Sequence, residues 1–213
     1  MSLNNLPSLN KPVDAINKII ETINDGDSEI FILQRYRELT IINAFGDNYI
    51  YFFTEGSFSL SRSSDNLFIA ALSAPFIIGL TLPFNKSGQH FIFSETECRG
   101  FRISEKKAIE KINQYNLWKD VASILSYHIR LLIQRDEQLV GVSAYTTIRY
   151  SLLKLMEMSQ QERMNINVEK FIQQHTKLSR SGIMKILSNL RAGNYIQMHR
   201  GRLIDVDNLP ENY

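Results

Sequence analysis

The stretch HTKLSRSGIMKILSNLRAGNYI, residues 175–196, contains no Asp or Glu, yet it carries four basic residues: Lys177, Arg180, Lys185 and Arg191. Apolar residues recur in it at spacings of three and four, namely Ile183, Ile186, Leu187 and Leu190. This spacing is typical of an amphipathic helix that buries one stripe of side chains. The sequence therefore predicts a helix with a basic exposed side.

Both ends of this helix can be read from the sequence. Ser179 stands at the N-cap position, where its hydroxyl can accept a bond from a backbone N–H of the first turn. Gly193 stands where a left-handed residue commonly ends a helix. The face opposite the apolar stripe then presents Arg180, Ser181, Met184, Lys185 and Ser188, with Arg191 one turn further on.

A short helix and a hairpin flank the basic helix. The segment INVEKFIQQHTKLS predicts a helix over about residues 168–174 and a tight turn into Ser179. The segment YIQMHRGRLIDV predicts a β-hairpin with Arg200 and Arg202 at its tip. Helix, turn, basic helix and hairpin form the order of a winged helix-turn-helix. In that motif the second helix enters the major groove and the hairpin lies against the phosphate backbone.

The distribution of charge supports this interpretation. Residues 141–213 hold ten Lys or Arg and six Asp or Glu, a net charge of +4, whereas the other 140 residues hold 14 and 16, a net of −2. From residue 171 to residue 204 there are six Lys or Arg and no acid. Such a window favours a negative partner. The alternative explanation is an ordinary solvated helix face.

The composition excludes several classes of protein. The 213 residues include one cysteine, Cys98, so an intrachain disulfide and a cluster or zinc site built from several thiolates are excluded. No run reaches the roughly 20 apolar residues that cross a bilayer. The polar start MSLNNLPSLNKP lacks the pattern of a secretory signal, so we expect a cytoplasmic protein with no membrane partner.

A long helix is predicted over residues 115–140, YNLWKDVASILSYHIRLLIQRDEQLV. Alternating spacings of three and four define a coiled-coil seam of Trp118, Val121, Leu125, His128, Leu132, Arg135 and Leu139. A neighbouring stripe consists of Leu117, Ile124 and Leu131. A helix that is apolar on two sides needs two packing partners. A second copy of the chain on one side and its own domain on the other would provide them. The alternative is a helix buried within a single domain.

The residues before the long helix have a β-rich texture. Eight short runs alternate with turn signals such as GDN, EGS, SSDN and NKSG: EIFILQR, LTIINAF, NYIYFF, FSLSR, LFIAAL, FIIGL, HFIF and FRIS. Many short strands at such spacing predict a sandwich or barrel. The opening segment PVDAINKIIETIND is predicted to be helical, with Val13, Ile16, Ile20 and Ile23 on one side.

The stretch LSRSGIMKILSNLRAGNYI followed by HRGRLIDV resembles the C-terminal domain of the cyclic-AMP receptor protein family, the Crp-Fnr family of bacterial transcription regulators. The order of helix, β-roll, long helix and winged helix matches that family over the whole chain. The resemblance implies an α+β fold with a β-roll sensor-like domain at 1–112, a dimerisation helix at 113–140 and a DNA-binding domain at 141–213. Within the family, the general pattern of the sequence is similar to that of the enterobacterial IprA-like group, which is associated with peroxide-stress responses.

The resemblance also implies sites and partners. Ser179 and Arg180 would open the recognition helix, with Ser181 and Lys185 facing the groove. The complete predicted DNA-binding set is Lys177, Ser179, Arg180, Ser181, Lys185, Arg191, Arg200 and Arg202. The predicted dimer contacts are Trp118, Val121, Leu125, His128, Leu132 and Leu139. The expected partners are double-stranded DNA and a second copy of the chain, with RNA polymerase as a further candidate.

The expected effector site departs from the family. Members that bind cyclic nucleotides have a Gly-Glu pair and, a few residues later, an Arg-Ser or Arg-Thr pair. In this sequence Gly79 is followed by Leu80, and the later positions are Gln89, His90 and Phe91. A buried phosphate would lack a counter-charge, so we predict no cyclic-nucleotide binding. An iron–sulfur cluster is excluded by the single thiol, the four histidines lack metal-ligand spacing, and no cofactor is expected.

Other interpretations remain open. Cys98, in SETECRGF, is either a redox sensor or a small packed side chain. An enzyme is disfavoured because the sequence has no nucleophile elbow and no phosphate-binding glycine loop. The stronger alternative to a sequence-specific regulator is a DNA-architectural or protein-docking dimer without base selectivity.

Overall fold

The computed structural model describes residues 10–41, 48–83, 90–139, 143–176 and 178–210, without the side chains of residues 138 and 139. The chain divides into two compact units. The first comprises residues 1–65 and 69–133, and the second comprises residues 66–68 and 134–213. The boundary between the two units falls after Ile133, within the long helix that the sequence predicts as a segment of its own.

The elements of the first unit follow the predicted order. They are α1 (Val13–Ile23), β1 (Glu29–Leu33), β2 (Glu38–Thr40), β3 (Tyr49–Glu55), β4 (Ser57–Arg62), β5 (Leu67–Ser73), β6 (Phe76–Ile78), β7 (His90–Ser94), β8 (Cys98–Ser104), α2 (Glu105–Gln114) and α3 (Trp118–Leu139). Each of the eight predicted β-rich runs overlaps one of the strands β1 to β8. The predicted α+β class, with a β-sheet domain, a long helix and a C-terminal winged helix-turn-helix, is confirmed.

The eight strands form two four-stranded sheets. One sheet has the order β1-β8-β3-β6 and the other has the order β2-β7-β4-β5. The central pair β3 and β8 is antiparallel and places Phe52 opposite Phe101, whose rings stack at 4.6 Å between centroids. Gly100 permits this close approach, since a Cβ atom there would lie 1.9 Å from the carbonyl oxygen of Phe52.

The first unit has two core clusters, one formed by α1, α2, α3 and strands β3, β6 and β8, and the other formed mainly by strand residues of both sheets. Helix α1 buries Ile16, Ile19 and Ile23, which are fully shielded from solvent. Val13, which the sequence placed on the same stripe, is 39% exposed. Each buried aliphatic side chain stabilises the fold by roughly 1.5–3 kcal/mol relative to an exposed one.

Helix α2 was not predicted separately. It begins after Ser104, whose hydroxyl accepts a hydrogen bond from the backbone N–H of Lys107 at 3.5 Å. The chain then leaves helical geometry at Asn116, which has a φ of 52°. Helix α3 starts at Trp118, whose indole Nε1 donates to Oδ1 of Asn113 at 2.7 Å. The long helix predicted from residue 115 therefore corresponds to α3, which begins three residues later, and α2 is an additional helix before it.

After α3, the described part of the second unit contains four helices and a hairpin. They are α4 (Ala144–Met156), α5 (Gln160–Arg163), α6 (Val168–His175), α7 (Arg180–Ala192), β9 (Ile196–His199) and β10 (Arg202–Val206). Its core is formed by apolar side chains of the helices and both strands, among them Ile148, Leu152, Phe171, Leu187 and Leu203. The predicted short helix, basic helix and hairpin correspond to α6, α7 and the β9–β10 pair.

Candidate nucleic-acid interface

Helix α7 has the buried stripe that its sequence predicts. Ile183 and Leu190 are fully buried and Leu187 is 3% exposed. The hydroxyl of Ser179 caps the helix by accepting a hydrogen bond from the N–H of Gly182 at 3.2 Å. Such a cap contributes about 1 kcal/mol. The buried stripe therefore determines which residues of α7 face away from the core, and the cap determines where the helix begins.

The C-terminal end of α7 differs from the prediction. Gly193 has a φ of −81°, and the left-handed residue is Asn194, with a φ of 58°. A Cβ atom at Gly193 would lie 2.5 Å from Cε2 of Tyr195. A side chain at Gly193 would thus crowd the ring of Tyr195. Asn194 supplies the left-handed backbone conformation, which asparagine tolerates better than most residues.

The exposed face of α7 carries three predicted groove residues. Arg180, Ser181 and Lys185 are all exposed, and Met184 between them is 49% exposed. Arg191 is exposed in the last turn. With a rise of 1.5 Å per residue, Arg191 lies about 16 Å along the helix from Arg180. The first two turns therefore form a compact group of donors, and Arg191 lies apart from it.

An acid lies beside the most prominent of these donors. The Nε atom of Arg180 is 3.2 Å from Oε1 of Glu169, in the first turn of α6. The Arg180 side chain is 73% exposed, whereas that of Glu169 is 16% exposed. The sequence did not indicate this ion pair, because Glu169 lies two residues before the acid-free window. Only the turn between α6 and α7 brings Glu169 close to Arg180.

The hairpin has a two-residue turn. Arg200 and Gly201 have φ values of 49° and 78°, and the flanking residues His199 and Arg202 are paired. Positive φ at both positions defines a type I′ turn, which usually contains Asn or Gly at its first position. An arginine there costs of the order of 1 kcal/mol. Arg200 is exposed at this tip, whereas Arg202 is half-buried.

A buried arginine, Arg163, stabilises the hairpin by hydrogen bonds to its backbone. Arg163 is 9% exposed, and its guanidinium donates to the carbonyl oxygens of Leu203 at 3.2 Å and Ile204 at 3.1 Å. It also donates to the carbonyl of Met158 at 3.3 Å. The register of β9 and β10 shifts between Leu203 and Asp205. Arg163 thus has a structural role and does not belong to the exposed basic surface, although the charge count had included it.

Not every predicted DNA-binding residue can be placed. Lys177 lies outside the described residues. The hydroxyl of Ser179 is engaged in the helix cap and also lies 3.2 Å from the hydroxyl of Ser181. The contacts of these residues with DNA stay predictions.

The predicted dimer residues lie on different sides of α3. Val121 is 2% exposed in the core of the first unit, and Trp118 and Leu125 pack partly against that core. The ring of His128 stacks on Phe76 at 4.8 Å between centroids. Leu132 is 53% exposed, and the side chain of Leu139 is outside the described part. Among the described side chains of α3, the exposed large apolar residues are Ile129, Leu132 and Ile133, of which Leu132 belongs to the predicted seam. The dimer contacts stay predictions.

A pocket of about 250 Å³ lies in the first unit, between strands and α3. Its lining is mostly aliphatic and includes Gly79 and Leu80, the positions compared with the cyclic-nucleotide motif, together with His90 and His128. No Lys, Arg, Asp or Glu lines it among the described residues. Burial lowers the pKa of His128 to about 4, and its Nε2 atom has no hydrogen-bond partner in the described structure. Both observations describe a neutral imidazole in apolar surroundings.

Cys98 is fully buried. Its thiol lies 3.4 Å from the carbonyl oxygen of Ser57, and burial raises the pKa of the thiol. A protonated, inaccessible thiol reacts slowly with oxidants. This environment supports the packing interpretation of Cys98. Among the described residues, no cluster of three or more His, Cys, Asp or Glu side chains that could hold a metal ion occurs.

Comparison with known proteins agrees with this geometry. Residues 144–211 match the protein family described as winged helix-turn-helix DNA binding. The matched range contains α4 to α7 and both hairpin strands. The second unit is thus a winged helix-turn-helix DNA-binding domain.

Over its whole length the chain is similar to a bacterial protein from Salmonella typhimurium strain LT2, the inhibitor of hydrogen peroxide resistance. The two sequences are 31% identical over 207 residues, which cover 97% of this chain and 99% of the relative. The chain belongs to the inhibitor of hydrogen peroxide resistance family. The similarity to the IprA-like group that the sequence suggested is thereby confirmed.

Solved structures show the wider fold of this family. The c-di-GMP responsive global regulator CLP of Xanthomonas campestris superposes with a TM-score of 0.66 at 15% identity, covering 92% of this chain and 99% of the regulator. A protein from Eubacterium rectale, described as a transcriptional regulator of the crp/fnr family, gives 0.65 at 14% identity, with coverages of 96% and 92%. The chain therefore has the Crp-Fnr fold, as predicted. Within the described residues, no helix combines the length and apolarity that a membrane crossing requires.

Proposed function

We propose that this protein is a sequence-specific transcription regulator that binds DNA as a homodimer. The observation that carries the proposal is the exposed face of α7, where Arg180, Ser181 and Lys185 project from the first two turns of a helix capped and packed by its other side. These residue types donate hydrogen bonds, and Arg and Lys commonly contact O6 and N7 of guanine in the major groove.

The proposed contacts divide into two classes. Arg180, Ser181 and Lys185 read base edges, with Arg180 donating to a guanine through two nitrogens. Lys177, Arg191, Arg200 and Arg202 contact phosphates, which position the protein without reading sequence. Arg200 supports this division, because it occupies a left-handed backbone position where Asn or Gly would be less strained. An arginine at this position places a positive charge at the tip of the hairpin, where it can contact a phosphate.

The proposed dimer contact is an exposed apolar stripe on α3. Ile129, Leu132 and Ile133 are 56%, 53% and 51% exposed, and their spacing places them on one side of the helix. In a two-fold symmetric dimer, the stripe of one copy would pack against the same stripe of the second copy. Two recognition helices would then meet half-sites about one helical turn apart, roughly 34 Å.

We also propose that the first unit does not bind cyclic nucleotides. Because the described lining of its pocket lacks a charged residue, the phosphate of a nucleotide would be buried without a partner. The test is titration calorimetry with cyclic AMP and cyclic GMP at millimolar concentration. A dissociation constant in the micromolar range for either nucleotide would contradict this part of the proposal.

A DNA-architectural or protein-docking dimer is the alternative function. It would use the same basic surface without base selectivity, and salt dependence alone does not separate the two, because phosphate contacts supply much of the affinity in both. Action through RNA polymerase and a cytoplasmic location stay predictions of the sequence resemblance.

The deciding experiment is selection from a random duplex pool at about 0.15 M salt, near physiological ionic strength. Wild type, Arg180→Ala and the matched control Arg37→Ala, which removes an exposed arginine of the first unit, are run in parallel. We expect a two-fold symmetric motif from wild type and Arg37→Ala, and loss of preference at one position per half-site in Arg180→Ala. Salt-sensitive binding without any motif in the wild type would support the architectural alternative.

A further inference from the structure

The ion pair between Glu169 and Arg180 is an unusual feature of a DNA-binding face. A carboxylate close to phosphates weakens binding to every duplex, because phosphate contacts dominate affinity. Glu169 nevertheless lies 3.2 Å from Nε of Arg180, at the first residue of the proposed recognition helix. No other Asp or Glu occurs from residue 170 to residue 204. The charge of Glu169 is therefore opposite to that of the basic residues on the proposed DNA-binding face.

The two side chains differ in how firmly they are held. Glu169 is 16% exposed and belongs to the first turn of α6, which is fixed by Asn167, whose side chain accepts a hydrogen bond from the N–H of Lys170 at 3.0 Å. Arg180 is 73% exposed and extends into solvent. A long exposed arginine loses side-chain entropy when it is ordered. The partly buried carboxylate of Glu169 restrains the Arg180 side chain. Arg180 therefore has less conformational entropy left to lose when it binds DNA.

The atom that Glu169 approaches is also informative. Nε carries one of the five N–H donors of a guanidinium and lies next to the aliphatic chain, whereas the two terminal nitrogens carry the other four. A carboxylate beside Nε leaves both terminal nitrogens available for the paired acceptors O6 and N7 of guanine. The pair therefore restrains the side chain without occupying its base-reading end.

We infer that Glu169 is a positioning residue that sharpens the base preference of Arg180 while weakening binding to random DNA. This inference rests on the proposed function. The ordering of Arg180 favours the one base that accepts both terminal nitrogens, whereas the negative charge weakens binding to all duplexes alike. Discrimination therefore increases through the ordering of Arg180, since specificity is a difference between two affinities.

A purely structural role predicts a different result. Arg180 is the first residue of α7, where the helix dipole disfavours a positive charge, and Glu169 would offset this locally. In that case removal of the Glu169 charge lowers the melting temperature and weakens preferred and random duplexes by the same factor.

The test compares Glu169→Gln with Glu157→Gln, a matched control that removes an exposed acid elsewhere in the same unit. Dissociation constants are measured by fluorescence anisotropy for the duplex preferred by wild type, for a duplex with the Arg180-dependent guanine replaced, and for random duplex. We expect Glu169→Gln to bind random duplex more tightly and to lose about two- to fivefold of its guanine preference, the size of an exposed ion pair. Glu157→Gln is expected to leave the guanine preference unchanged.

A second comparison separates positioning from general electrostatics. In an Arg180→Ala background, Glu169→Gln should change no base preference, because the side chain on which it acts is missing. A guanine preference that is unchanged in the single variant, or changed in the Arg180→Ala background, overturns the inference and leaves the proposed function intact. Absence of any preferred duplex for the wild type overturns both.

Discussion

The carbonyl oxygen of Gly201, in the turn of the hairpin, accepts a 2.9 Å hydrogen bond from the backbone N–H of Val168, the first residue of α6. An N–H at this helix position has no partner within the helix. The bond therefore satisfies a free donor and ties the tip of the wing to the helix that precedes the recognition helix. The position of Arg200 relative to α6 is fixed by this link.

Substitution of Gly201 should loosen the wing. Its φ of 78° disfavours a side chain, and a Cβ atom would lie 2.8 Å from Nδ2 of Asn167. We expect Gly201→Ala to destabilise the protein by about 1–3 kcal/mol. Gly26→Ala is the control, because no atom lies within 4 Å of its Cβ position. Thermal unfolding followed by circular dichroism checks this, and equal melting temperatures for the two variants would contradict it.

Arg163 should stabilise the hairpin and the second unit. Arg163→Met keeps the length of the side chain but removes its three donors to backbone carbonyls, so buried acceptors lose their partners. We expect a loss of roughly 2–4 kcal/mol of unfolding free energy, because each unsatisfied buried group costs about 1–3 kcal/mol. Chemical denaturation measures this loss.

The matched variant for Arg163 is Arg200→Met. Arg200 is exposed at the turn, so its removal should leave the unfolding free energy unchanged within about 0.5 kcal/mol, the usual range for surface substitutions. It should weaken all duplexes similarly, since a phosphate contact carries no sequence information. A larger loss of stability in Arg200→Met than in Arg163→Met would contradict both assignments.

The recognition helix could be predicted from sequence because its signals are local. The spacing of Ile183, Leu187 and Leu190, the cap at Ser179 and the stop near Gly193 all lie within one segment, and the helix begins and ends within a residue of the predicted limits. The strands were also predictable, because each apolar run is bounded by turn residues. Backbone geometry and hydrophobic periodicity act over short distances in the chain.

Tertiary relationships could not be predicted in this way. The pairing of Glu169 with Arg180, and of Arg163 with the carbonyl of Leu203, depends on the packing of separate elements. The capping box formed by Ser159 and Glu162 was a readable signal for helix α5, which carries Arg163, but it does not indicate what the arginine contacts. The orientation of α3 depends in the same way on which of its two apolar stripes the core accepts.

The exposed stripe on α3 predicts a dimer that is sensitive to substitution. Ile129→Ser removes one of three exposed apolar side chains and should weaken self-association about tenfold or more, as expected when a central apolar contact of roughly 1.4 kcal/mol is lost. Asp136→Ser, an exposed polar position further along the same helix, is the control. Sedimentation equilibrium measures both, and a monomeric wild type at micromolar concentration would contradict the dimer itself.

The buried imidazole of His128 predicts an acid-sensitive first unit. Burial lowers the pKa of His128 from 6.5 to about 4, so the unfolded chain binds a proton at this residue before the folded chain does. The free energy of unfolding therefore decreases as the pH falls from 6.5 to about 4, by at most roughly 3 kcal/mol from this group. Above pH 6.5 the histidine is neutral in both states and contributes no pH dependence.

Replacement of His128 isolates this contribution. His128→Phe preserves an aromatic ring against Phe76 and removes the Nε2 atom that has no partner in the described structure. We expect the variant to be as stable as wild type or more stable at pH 7, and to lose less stability between pH 6.5 and pH 4. Urea unfolding at a series of pH values measures the two slopes. Equal slopes for wild type and His128→Phe would show that His128 is protonated equally in the folded and unfolded chains.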